Sequence, residues 1–167
     1  MAHVCQCCGL AHDGLPMDVG FAKPGAYLTL KTRRQKAACE LTADTCVIGK
    51  KRFFIRGCLP IPLRDTGSVF VWGLWAEVAP HVFERYQQRR DTDQRRELPA
   101  PGALSIEAEP ALRGMDRLPI LIHFGTAEQR PTFKLEPSNH WLWRDQQCGI
   151  TLHRLHEVLR VLFPRHF

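Results

Sequence analysis

Most apolar residues of this chain fall into short alternating runs, the pattern of strands half-buried on a core. Cys46-Val47-Ile48 and Arg52 to Leu63 are rich in β-branched and aromatic residues and are joined by Gly49-Lys50, which predicts a hairpin. Pro60 and Pro62 flank Ile61 and can donate no N–H to a ladder, so this strand end is expected at an edge or a bulge. Ser68 to Val78 (SVFVWGLWAEV) is the most apolar stretch and is expected to be a central strand. Ala103 to Ala108, Leu118 to Phe124 and Thr132 to Glu136 are further strand candidates.

A helical period governs two segments. Pro80 suits a first turn, and Val82, Phe83 and Tyr86 after it predict an amphipathic helix running to about residue 93. Thr151 can cap a second helix whose Leu152, Leu155, Val158, Leu159 and Leu162 share one face, with Pro164 as its stop. Tyr27 to Ala38 is charged and helix-compatible, whereas Val4 to Gly25 and Gln94 to Gly102 carry the Gly and Pro punctuation of loops. The fold class predicted is α+β, an antiparallel or mixed sheet with two or three packed helices and a cysteine-rich N-terminal knuckle. At 167 residues the chain suits one core, so residues 1–167 are expected to form a single domain with the loop-rich 1–25 segment packed on it.

Composition narrows the setting. An apolar fraction of 44% with 24% charged residues is that of a globular protein and argues against disorder. No window holds the 18 or more consecutive apolar residues of a spanning helix, and no secretory leader is visible, so a cytoplasmic location away from membranes is expected. The seven cysteines then read as thiols or metal ligands and not as disulfides. The net charge of +6 is concentrated: residues 23–56 hold nine basic side chains against two acids, and the rest of the chain is close to neutral.

Three constellations could carry chemistry. Cys5 and Cys8, two residues apart and followed by Gly9, form half of a tetrahedral zinc site, and His12 and Cys46 are the best residues to complete it, with Cys7 and Cys39 as alternatives. Four protein ligands make such a zinc structural. Cys39, Cys58 and Cys148 read as small buried apolar residues. Lys31 to Lys36, with Lys50-Lys51-Arg52 beside Phe53 and Phe54, could meet phosphates, but charged helices and turn lysines are ordinarily solvated, so a nucleic-acid partner is not expected. Arg130 and His140 bracket a short strand and could hold an anion. No nucleophile elbow, Walker loop, zinc-protease or dinucleotide motif is present.

Read together, Cys5 to Gly9 with His12 and Leu15-Pro16, Asp44 to Ile48, Phe53 to Gly57 with Leu59 to Pro62, Phe70 to Trp75, Arg130-Pro131, and Glu136 to His140 with Gln146 and Gly149-Ile150 resemble an uncharacterised bacterial family, domain of unknown function 2199. The resemblance runs over nearly the whole chain and implies no assigned activity. It favours Cys46 over Cys39 as the partner of Cys5 and Cys8, and it places Arg56 and Arg130 in a shared polar cleft. The leading expectation is a non-enzymatic protein-interaction protein with a structural zinc, of immunity-protein type. The alternatives are an anion-binding protein or enzyme using Arg56, Arg130 and His140, and a nucleic-acid-associated protein using residues 31–36 and 50–52.

Overall fold

A computed structural model describes residue 11 and residues 14–106 and 113–165. Its strands are β1 (Asp18–Gly20), β2 (Cys39–Leu41), β3 (Thr45–Ile48), β4 (Arg52–Pro62), β5 (Val69–Val78), β6 (Ala100–Leu104), β7 (Pro119–His123) and β8 (Thr132–Leu135). The helices are α1 (Gly25–Leu28), α2 (Arg33–Ala37), α3 (Pro80–Gln88), α4 (Trp141–Cys148) and α5 (Leu152–Leu162).

The strand order is β1-β5-β6-β7-β8-β4-β3-β2, and β4 also pairs with β5. That second pairing closes β4, β5, β6, β7 and β8 into a five-stranded barrel, with β1 added to the outside of β5 and the β2–β3 hairpin to β4. The helix-packed α+β sheet expected from the sequence is therefore corrected to a closed barrel with extra strands and short helices. Its closure is a single parallel step, Cys58 opposite Thr132, in which the Cys58 amide donates to the Pro131 carbonyl at 2.8 Å. A pairing between residues this far apart leaves no mark on local periodicity.

Strand alternation sorts the side chains of β4. Ile55, Leu59 and Ile61 point into the barrel with Phe70, Trp72, Leu74, Leu104, Ile120, Ile122, Phe133 and Leu135, all nearly or wholly buried. The opposite face carries Phe54, which forms a second small core with Cys46 and Trp75, covered by Phe21, Ala26 and Tyr27. The Trp75 indole Nε1–H donates to the Phe21 carbonyl at 2.8 Å, which ties the segment after β1 to the barrel.

Pro60 and Pro62 do lie inside β4. The amides of Arg56 and Cys58 leave the edge away from β5, so the missing N–H groups of the two prolines face that same edge, beyond the last pairing with β8. The α4–α5 junction covers it. Ile150 N donates to Pro62 O at 2.8 Å, and the Gln146 amide bridges Pro60 O, Phe133 O and Leu135 N. Gly149, at φ 70°, ends α4 here, and a Cβ on it would stand 2.9 Å from Pro62 O.

Helices form for different reasons. α5 buries Leu152, Leu155, Val158 and Leu159, each contributing about 1.5–3 kcal/mol, and Thr151 Oγ1 caps it by accepting from Arg154 N at 3.2 Å. α3 buries Val82, Phe83 and Tyr86 and stops at Gln88. α4, which the sequence pattern does not predict, has one fully buried residue, Leu142, too few for a stripe. The helix expected over 27–38 breaks into α1 and α2, because Thr32 caps the second half. β6 begins at Ala100, inside the expected loop, since β5 pairs with only Ala103 and Leu104 and makes no demand on Pro101 for a donor.

Gly57 makes the closure possible. A Cβ there would lie 2.3 Å from the Phe133 ring and 2.8 Å from Pro131 O, so the ring and the β8 backbone occupy the space a side chain would need. Gly57→Ala is expected to destabilise the protein by about 1–3 kcal/mol in urea unfolding, and adding Phe133→Leu to recover part of that loss. An unchanged midpoint for Gly57→Ala would contradict this account.

Candidate arginine-lined cleft

On one edge of β4, β3 pairs as far as Ile55 and β8 joins at Cys58. Between the two pairings, Arg56 N donates to Asp44 O at 2.8 Å, so the fork is bridged by the backbone of the residue preceding β3. Thr42 holds that residue in place: its Oγ1 accepts from Asp44 N at 3.3 Å and from Thr45 N at 2.9 Å.

The Asp44 carboxylate then faces guanidinium groups from two other elements. Arg130, just before β8, donates Nε to Oδ1 at 2.7 Å, and Arg90, beyond α3, donates Nη2 to Oδ2 at 3.2 Å. A cleft of about 420 Å³ opens beside them, lined by Asp44, Cys58, Tyr86, Arg90, Gln94, Phe124, the 125–129 loop, Arg130 and Pro131. Tyr86 and Phe124 are stacked with centroids 6.0 Å apart. Gln94, buried, braces the loop: its N donates to Gly125 O at 2.9 Å and its Nε2 to Arg89 O at 2.7 Å.

Arg56 does not line this cleft but stands next to it. Its guanidinium lies over the Trp75 ring, 5.9 Å from the centroid, and Nη1 donates to Ala43 O at 3.4 Å, while Nε is buried with no hydrogen-bond partner among the described residues. Burial and then the charge of Arg130 lower its pKa, with Asp44 opposing them. Cys58 is pushed up by burial against the pull of Arg130 and Arg56, so it rests as a thiol. Tyr86 is likewise raised, by burial first and then by Asp44.

Of the three residues predicted to share a cleft, Arg56 and Arg130 are brought together around Asp44, and His140 makes its contacts elsewhere. His140 caps α4, with Nδ1 accepting from Leu142 N at 3.1 Å, and its ring packs against Trp141 and against Gly114, where a Cβ would lie 3.1 Å from Nε2. The imidazole is an acceptor and is therefore neutral, in keeping with a pKa lowered by burial. Sequence reasoning missed Asp44 and Arg90 as site residues. Asp44 lies in a family block beside Cys46, and an arginine near the end of a helix carries no pattern that marks it as a site residue.

The zinc expectation is not upheld. Among the described residues no group of three His, Cys, Asp or Glu could hold a metal ion. Cys5, Cys7, Cys8 and His12 lie outside the described residues. Cys46, the predicted fourth ligand, is wholly buried between Phe54 and Trp75, and burial followed by Cys39 pushes its thiol up to about 12. Its side chain packs on aromatic rings, and among the described residues it belongs to no group of three or more His, Cys, Asp or Glu that could hold a metal ion. Nor are the other cysteines buried as expected, for Cys39 and Cys58 are half-buried and Cys148 is exposed.

Compared with known proteins, residues 4–150 match the model of a family described as an uncharacterized protein conserved in bacteria, DUF2199. No curated protein and no solved structure matches the chain. Among the described residues no helix is long and apolar enough to cross a membrane.

Two measurements check these environments. In the folded protein at pH 8, iodoacetamide is expected to label Cys148 and to reach Cys46 only after unfolding; equal labelling rates would refute the buried-thiol account. Because the folded pKa of His140 lies below its unfolded value of about 6.5, the unfolded chain binds the proton better, so its contribution is present above that pH and declines as pH falls through it. His140→Asn keeps an N-cap acceptor and is expected to flatten the stability profile between about pH 7 and 5 relative to wild type.

Proposed function

The chain belongs to the uncharacterised bacterial family DUF2199, and from the geometry of the cleft we propose that it binds a small anion, a carboxylate or a phosphate, beside Asp44. Arg130 and Arg90 are the donors and Arg56 supplies supporting charge. The observation that carries this reading is the use of Arg130: it gives Asp44 only Nε, and its two Nη groups have no partner among the described residues. A guanidinium fork with two free N–H groups matches a planar or tetrahedral oxyanion bidentately.

Charge supports the same reading. Arg90 and Arg130 both engage the Asp44 carboxylate with the Arg56 guanidinium nearby, and Glu128 is the other acid on the cleft wall. Two other acids are shared between arginines, Glu77 by Arg52 and Arg117 and Glu97 by Arg85 and Arg89, but neither lines this cleft. Arg90 and Arg130 line the cleft as hydrogen-bond donors, which is the chemistry of holding an oxyanion. The interaction protein of immunity type expected from the sequence finds no support in the family match or in the fold.

Thermal unfolding at constant ionic strength, with sodium phosphate or citrate as the probe, tests the proposal. Saturable stabilisation is expected, reaching about 2.7 kcal/mol at a hundredfold excess over Kd. Arg130→Gln should weaken binding about 10- to 100-fold, the scale of hydrogen bonds to a charged group. Asp44→Asn, which removes the internal competitor, should tighten it. No saturable shift, or one indifferent to Arg130→Gln, would defeat the reading.

A further inference from the structure

The basic segments singled out in the sequence are separated by a dozen residues, yet the fold places them side by side. Cys39 at the start of β2 pairs with Ile48 at the end of β3. α2 therefore ends two residues before this pair, and the turn into β4 begins immediately after it. Lys31, Arg33, Arg34 and Lys36 come from the first segment, and Lys50 and Lys51 from the second; all six are exposed. None makes an ion pair with a described residue, whereas Arg52, next in the chain, is held by Glu77.

Neither segment is shaped by the core. α2 buries no residue and is fixed by its own capping box: Thr32 Oγ1 accepts from Gln35 N at 3.1 Å, and Gln35 Oε1 accepts from Thr32 N at 3.1 Å and from Lys31 N at 3.0 Å. This order is local, and it presents Arg33, Arg34 and Lys36 to solvent. In the turn, Gly49 has φ 58° and Lys50 φ 57°, and Lys51 N donates to Ile48 O at 3.1 Å, a geometry that favours Gly or Asn at the Lys50 position. A lysine there keeps a cation at the turn tip in a backbone conformation that costs it more than those residues.

We propose that this ledge binds the phosphate backbone of duplex nucleic acid. Its chemistry selects that partner. Single-stranded binders need exposed aromatic platforms, but Phe53 packs on Phe83 at 5.1 Å between centroids and Phe54 is wholly buried. Membrane-surface helices need an apolar face, and α2, Arg-Arg-Gln-Lys-Ala, has none. Clustered Lys and Arg side chains without stacking or insertion groups recognise phosphates by charge alone, without reading bases. The ledge shares no residue with the cleft, so the two proposals stand or fall separately.

The test is fluorescence anisotropy with fluorescein-labelled 20-base-pair duplexes, one DNA and one RNA, over 25–200 mM KCl. Binding to one or both duplexes is expected, weakening with salt at a log–log slope of about 3–5, near 0.9 for each phosphate neutralised. Arg33→Gln with Arg34→Gln and Lys50→Gln should weaken binding at least about tenfold at 50 mM KCl and lower the slope by about 2–3. Circular dichroism should be unchanged, since these side chains bury nothing. A control removing the same charge elsewhere, Arg64→Gln with Arg96→Gln and Arg160→Gln, should stay within about twofold of wild type. The proposal fails if neither duplex binds at 25 mM KCl or if both triple variants lose affinity equally. It also fails if anionic phosphatidylglycerol vesicles retain the protein while the duplexes do not.

Discussion

The amides of Arg56 and Cys58 leave β4 on the same edge, yet the first is bound by the carbonyl of Asp44 and the second by that of Pro131. This division of one strand edge between two partners is the constraint on which the rest depends. A strand has one row of donors per edge, so where β3 leaves off and β8 takes over, a gap must open. The barrel closes on one side of that gap and the hairpin hangs from the other. Gly57 sits within it, lacking a side chain because the Phe133 ring fills the space, and the carboxylate of Asp44 is thereby brought to Arg130, which precedes the closing strand.

The distribution of charge follows from the same frame. Asp44, Glu77 and Glu97 are each shared by two arginines, which neutralises part of a basic chain. Two places escape. At the cleft, Arg130 meets a carboxylate already engaged by Arg90 and gives it only Nε, leaving its other donors over. On the ledge, the cations pair with no acid among the described residues, α2 ending and the turn beginning near the end of the β2–β3 pairing. The first suits an anion of limited size enclosed on several sides. The second suits an extended polyanion lying across an open surface.

How far the sequence could be read depends on the range of the interaction involved. β4, β5, β7, β8 and α5 announce themselves because alternation and helical period report a neighbour that is always the same, the core. The edge role of Pro60 and Pro62 was legible too, since a missing N–H is a local fact whose consequence any sheet must respect. α4 was not, because it rests on the His140 cap and on Gln146 clamping β8 to β4, neither of which repeats along the chain. Cys46 misled for a related reason: the family resemblance favoured it as a ligand, but which residues surround a cysteine is decided by the fold, here Phe54 and Trp75.

By itself, then, the sequence determined the segments of β3, β4, β5, β7 and β8, the Gly49-Lys50 turn, the Thr151 cap, and that positive charge collects in residues 23–56, because each depends on residues a few positions apart. Closure of the barrel, the meeting of Asp44 with Arg90 and Arg130, the separation of His140 from them and the union of the two basic segments were decided only by tertiary structure. Each joins residues distant in the chain through a pairing register or a buried contact, and neither composition nor period encodes which distant partner a strand edge will accept.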